Sequence, residues 1–245
     1  NPFSIGYGGY EVYLKHPEWF VYNEKGQLSI GYYYQKKLEV GSDPDMKEKP
    51  WPYQLSPYAL TLNVNISSLE PIDAHIEQII KAHKMFGWDG VRFDNFVYGA
   101  GGYDLYGNPI VPKDNPKKKD ELEVRAWSHM RDTLWQKIGL NFVIGQNRDY
   151  MLNGTDPVWT ETCRKGQLLM EEIPRGSYQP QSAQNKWKDF MRYYHKTGEI
   201  VRNLGGHHLI IGFDNEYPVD HLYLNIFTYA GRTHPYAYQY HSDDL

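Results

Sequence analysis

Residues 87–95 read Gly-Trp-Asp-Gly-Val-Arg-Phe-Asp-Asn, with an arginine two positions ahead of an aspartate at the end of a short apolar run. Side chains alternate along a strand, so Arg92 and Asp94 share one side of a strand running over Gly90–Phe93. A carboxylate with a guanidinium beneath it stays ionised and held in one orientation, which suits a nucleophile. The plainer alternative is a structural ion pair that closes a strand end. A second acidic signal, Glu171-Glu172, follows the apolar run Gln167–Met170.

Two carboxylates flanking a glycosidic bond can cleave it, one as an ionised nucleophile and the other as a protonated acid. Asp94 is the nucleophile in this reading. Glu171 is the first choice for the acid and Glu172 the alternative, because period-two geometry lets only one of them face the interior. Arg92, Asn95, Tyr98, Gln146, Asn147, Asp214, Asn215 and His234 are the candidate substrate-binding residues. Neither the chemistry nor the sequence calls for a cofactor. Metal ligands are not expected either: His75 and His83 fall on a helix face, and Asp43 and Asp45 lack the bidentate glutamate of a calcium loop.

The elements that must carry these residues alternate between short apolar and long amphipathic runs. Strands are expected at Ala59–Val64, Gly90–Phe93, Asn141–Gly145, Gln167–Met170 and His208–Gly212, with one more near Ile5–Leu14. Between them lie helices starting at Ser67 or Ser68 (apolar face Ile72, Ile76, Ile79, Ile80) and over Lys118–Ile138 and Ser182–Leu204, with a further one over Val219–Gly231. The loop over 97–115 is long enough to be functional. Alternation with polar residues at each strand's C-terminal end points to a parallel sheet whose tips share one face. No glycine-rich nucleotide fingerprint follows a strand, which favours an α/β fold of the (β/α)8 TIM-like barrel type over an open doubly wound sheet.

Five or six strands fall short of eight, so an incomplete barrel or a fragment of a larger chain is expected. Residues 1–56 are read as an irregular N-terminal segment and 57–245 as the barrel core, together one domain. The opening Asn-Pro-Phe-Ser is not a leader, so either a leader was removed or the chain is a piece of a longer protein; a secreted, periplasmic or cell-surface location is expected, with the cytoplasm also compatible.

Composition narrows the partners. The net charge is −4, and Lys117-Lys-Lys119 runs directly into Asp120 and Glu121, so nucleic acid is not an expected partner. No apolar run reaches the roughly 18 residues of a membrane helix. The single cysteine, Cys163, leaves no internal disulfide. With 22 Tyr and 7 Trp, many in expected loops, the chain has flat faces with polar edges that suit stacking on sugar rings. An oligo- or polysaccharide is the expected partner.

Over 87–94 the sequence resembles the fourth-strand motif of the α-amylase superfamily, where an arginine precedes the nucleophilic aspartate by two. His16-Pro-Glu-Trp19 and Val21-Tyr-Asn-Glu-Lys-Gly26 resemble a phrase found ahead of the central strands of such barrels. The order of Asp then Glu is similar to glycoside hydrolase family 66, the dextranase and cycloisomaltooligosaccharide glucanotransferase family. The resemblance implies a retaining double displacement that hydrolyses or transfers O-glycosidic bonds, with Asp94 as nucleophile and Glu171 or Glu172 as acid. One departure is Gln146, where an α-amylase carries its acidic glutamate. It motivates the rival expectation of a non-catalytic sugar-binding barrel.

Overall fold

In the computed structural model, Pro71 stands in the first turn of a 17-residue helix and Gly87 closes it in the left-handed region at φ 69°. Residues 4–5, 9–29, 62–93, 101–147, 157–172, 195–213 and 237–240 are described. They fall into two compact units, one of residues 1–87 and 97–139, the other of 88–96 and 140–245.

The first unit opens with strand β1 (Ser4–Ile5), helix α1 (Gly9–Lys15) and a 3₁₀ turn at Pro17–Trp19. Strand β2 (Leu62–Asn63) pairs antiparallel with β1. Two expectations are corrected here. Residues 9–15 form a helix, with His16 N–H closing onto the Val12 carbonyl, where a strand through Leu14 was expected. The strand near residue 60, expected among the parallel strands, lies instead in this small antiparallel pair. Phe20, Tyr22, Leu28 and Leu62 form the local core, with Val12, Tyr13 and Trp19 packed on it.

Helix α2 (Glu70–Phe86) buries Ile72, Ile76 and Ile79, as its 3.6-residue spacing dictates. Ser68 Oγ accepts the Glu70 amide at the helix entry. Helix α3 (Lys118–Lys137) buries Leu122, Trp127, Met130 and Leu134. His129 Nε2 and Asp73 Oδ1, 2.6 Å apart, tie α3 to α2, and Arg125 donates to the Ile66 and Ser67 carbonyls.

Two hairpin turns in this unit are built alike. Tyr22 bridges Leu28, and Tyr103 bridges Pro109. Each tyrosine is followed by an Asx residue that accepts amides inside its own turn: Asn23 from Lys25 and Gln27, Asp104 from Tyr106 and Asn108. Gly26 and Gly107 hold the positive φ that each turn needs. Tyr22 and Tyr103 exchange both backbone bonds, at 2.8 and 2.9 Å, so the turns are joined into one small ladder.

The second unit is an α/β layer. Strands β3 (Gly90–Phe93), β4 (Val143–Asn147), β5 (Leu168–Glu172), β6 (His207–Phe213) and β7 (Ala237–Tyr240) form one sheet. Every neighbouring pair is parallel and the spatial order follows the chain order. Among the described strands the order therefore shows no reversal of the kind that defines a doubly wound sheet.

Helix α4 (Pro157–Thr162) and a helix over 195–203, here α5, cover one face of this sheet. Trp159 and Cys163 at one end, Val201 of α5 and Leu169 of β5 make the core between the layers, each 0% exposed. Gly206 lets α5 turn into β6 at close range: a Cβ there would stand 2.1 Å from the Cys163 carbonyl oxygen. Residues 182–194 of the helix expected over 182–204, the expected helix 219–231 and residues 59–61 of the strand expected over 59–64 lie outside the described residues.

Candidate functional site

Strand register decides which tip residues can meet. Arg92 pairs with Gly145 and Gly145 with Leu168, so Arg92, Gly145 and Leu168 share a face. Two more pleats along β5 bring position 172 to that same face. Phe93 pairs with Gln146, Gln146 with Leu169 and Leu169 with His208, which makes the opposite row. Position 171 belongs to that second row by the same alternation.

The two faces differ in environment. Phe93, Ile144, Gln146, Leu169 and His208 on the second row are all buried, Leu169 against Trp159 of α4 and Val201 of α5. On the first row Arg92 is exposed and Val143 retains 47% exposure. The face that carries Arg92 is therefore the open one, and the backbone at 147, 170 and 172 belongs to it.

Gln146, expected among the substrate-binding groups, sits on the covered face. It is 0% exposed, and its Nε2 donates to Thr162 Oγ1 at 2.7 Å. Thr162 in turn donates to the Trp159 carbonyl at 2.7 Å. The amide thus fastens the end of β4 to α4. Asn147, the next residue, ends β4 and falls in the row of Met170 on the open face.

Asp94 follows the last residue of β3, and Asp94, Asn95, Tyr98, Asp214, Asn215 and His234 lie outside the described residues. For Glu171 and Glu172 the structure gives strand position and register. Sequence reading missed β7, whose signal was the alternation Ala237-Tyr-Gln-Tyr240 after a proline. Tyr238 pairs with Ile211, and Ile211 with Glu172; Tyr240 pairs with Phe213.

A cavity of about 470 Å³ opens at the opposite, N-terminal end of β4–β6, lined by Leu140, Phe142, Val143, Leu168, Lys165 and His207 among others. Its lining is mostly apolar and includes none of the carboxylates above. Among the described residues, no cluster of three or more His, Cys, Asp or Glu could hold a metal ion. No helix of the described residues is long and apolar enough to cross a membrane.

No family model and no curated protein matches the chain. Among solved structures it is similar to a cycloisomaltooligosaccharide glucanotransferase from Paenibacillus sp., crystallised with cycloisomaltoheptaose. The identity is 16% and the TM-score 0.48, over 86% of this chain and 25% of that one. The likeness is distant, and the chain spans a quarter of that enzyme's length.

Proposed function

We propose that the chain is the carbohydrate-active part of a (β/α)8-type barrel that cleaves or transfers glycosyl units through a covalent intermediate. The five strands β3–β7 form an arc of that barrel, with Arg92's face as its interior and the helical layer outside. The single observation that supports this reading most is the common face of Arg92 and Glu172 in a parallel sheet that runs in chain order.

In this reading Arg92 keeps Asp94 ionised for attack on the anomeric carbon, and Glu172 protonates the departing oxygen. Glu172 then deprotonates the water that releases the sugar. Register argues for Glu172 over Glu171, the residue that sequence reading put first. Asn147 is the hydroxyl binder of β4, while Gln146 serves to anchor the strand. The rival expectation of a binding barrel without turnover treated Gln146 as a replaced acid. On the covered face, position 146 is not one from which an acid would act.

The test is turnover of aryl α- and β-glycosides and polymeric glucans, with the anomer of the first product followed by NMR. Retention of configuration is expected, with a loss of about 10²–10⁴-fold or more in Asp94→Asn. Activity of that variant within tenfold of the parent protein would end the proposal.

A further inference from the structure

The cavity of about 470 Å³ at the N-terminal end of β4–β6 lies on the face that carries Arg92. Val143 stands two residues before Gly145 on β4, and Leu168 pairs with both Gly145 and His207. Alternation therefore gives Val143, Leu168 and His207 to that face. Leu168 precedes position 172 by four residues, roughly 13 Å along the strand, so the cavity is separate from the strand tips.

The described lining divides by chemistry. Phe142, Val143 and Leu168 supply apolar surface, joined by Leu140, a large apolar residue left 81% exposed. Lys165 and His207 also line the cavity and are exposed, and none of the described lining residues is acidic. Lys165 carries a second signal. Among the described residues it is the one non-glycine residue at positive φ, 56°, a strained conformation for a residue with a Cβ. The Lys165 N–H donates to the Leu204 carbonyl at 3.3 Å and the Gly166 N–H to the Gly205 carbonyl at 2.7 Å, which hold the turn in place. Glycine would sit at 165 without strain, so the fold carries a cation at the cavity against the local backbone preference.

We propose that this cavity binds a small apolar carboxylic acid, with its carboxylate beside Lys165 and His207 and its body over Phe142, Val143 and Leu168. Charge complementarity selects the anion. A lysine and a histidine, with no acid among the described lining residues, disfavour an ammonium group and favour a carboxylate, which a charge-assisted bond to the lysine then orients. The apolar surface takes the body of the ligand out of water. The volume falls within the roughly 300–1,000 Å³ of small-molecule sites. The site stands apart from the glycosyl-transfer reading, because it shares no residue with the strand tips and needs no turnover.

Octanoate is the probe, with octanol and octylammonium as neutral and cationic controls of equal chain length, all below micellar concentration. Affinities for the full chain are measured by calorimetry, and stability by thermal unfolding without ligand. Octanoate is expected to bind about tenfold or more tightly than either control. Lys165→Gly is expected to lose that margin while its unfolding midpoint holds or rises, because glycine relieves the positive φ. A lysine with a structural role alone would not separate affinity from stability in this way. If Lys165→Gly does not fold, Lys165→Asn, which tolerates the left-handed region, is read in its place. Val143→Asp, at a position 47% exposed, sets an acid at the cavity and is expected to abolish octanoate binding. Equal affinity for the three probes, or a Lys165→Gly affinity for octanoate within twofold of the parent, overturns the proposal. Absence of octanoate binding also overturns it; a concentration-dependent dimer that Val143→Asp disperses would then assign the face to a second copy of the chain.

Discussion

The side-chain amide of Gln146 donates to the hydroxyl of Thr162 at 2.7 Å, across the buried seam between β4 and α4. The contact makes Gln146 a fastener between the two elements. Gln146→Ala leaves the seam with a gap and one fewer bond, at an expected cost of about 1–3 kcal/mol in denaturant unfolding. In Gln146→Glu, burial would hold the carboxyl's folded pKa above its unfolded value of about 4.3. Stability should therefore be lost progressively as pH rises above that unfolded value. A Gln146→Glu variant that is more active, or equally stable at pH 4 and 8, would contradict this assignment.

Gly206 joins α5 to β6 where a Cβ would fall 2.1 Å from one carbonyl oxygen and 3.1 Å from another, those of Cys163 and Gln167. Backbone cannot yield as a flexible side chain can, so Gly206→Ala is expected to cost at least about 1–3 kcal/mol. Thermal unfolding should report it as a lowered midpoint. Gly166, which has no heavy atom within 4 Å of such a Cβ but sits at φ 78°, is the control for backbone strain without crowding. Equal effects at the two positions would rule out the crowding argument.

Asp104 organises the second of the paired turns. Partial desolvation pushes its pKa up, but bonds from the Asn108 side chain and from the Asn108, Tyr106 and Gly107 amides outweigh it, and the net shift is downward. The folded pKa lies below the unfolded one, so the contribution is complete above the unfolded value and is lost as pH falls through the folded one. Amide exchange at Tyr106 and Asn108, corrected for intrinsic rates, should lose protection in acid. In Asp104→Ala that protection should be low at every pH. Protection independent of pH in the parent protein would remove Asp104 from this role.

Much of the second unit was legible because local signals agreed. Gly87 stops α2, and the run Gly90–Phe93 between it and the polar Asp94-Asn95 is too short for a helix, so β3 is legible to the residue. β4 was read two residues early, because Asn141 and Phe142 look like strand residues yet precede the first ladder bond, from Val143 N–H to the Asp89 carbonyl. Partner choice was not legible. The strand near residue 60 has the composition of a barrel strand, and only its tertiary pairing with Ser4–Ile5 reveals otherwise. In 9–15, half-buried Val12 and Tyr13 pack on the local core of Phe20 and Tyr22, a contact that favours helix over the alternation seen in the text. The face of Gln146, and the faces that positions 171 and 172 take, needed the register of adjacent strands, which a single chain does not spell out.

The most direct test of the common face is the comparison of Glu172→Gln with Glu171→Gln. Initial rates are measured on one aryl glycoside and one oligosaccharide, with folding checked by circular dichroism. Glu172→Gln is expected to lose about 10²–10⁴-fold on the oligosaccharide, whose leaving group needs the proton, and Glu171→Gln to keep rates within tenfold of the parent. The reverse order, or two variants that both keep full activity, would contradict it.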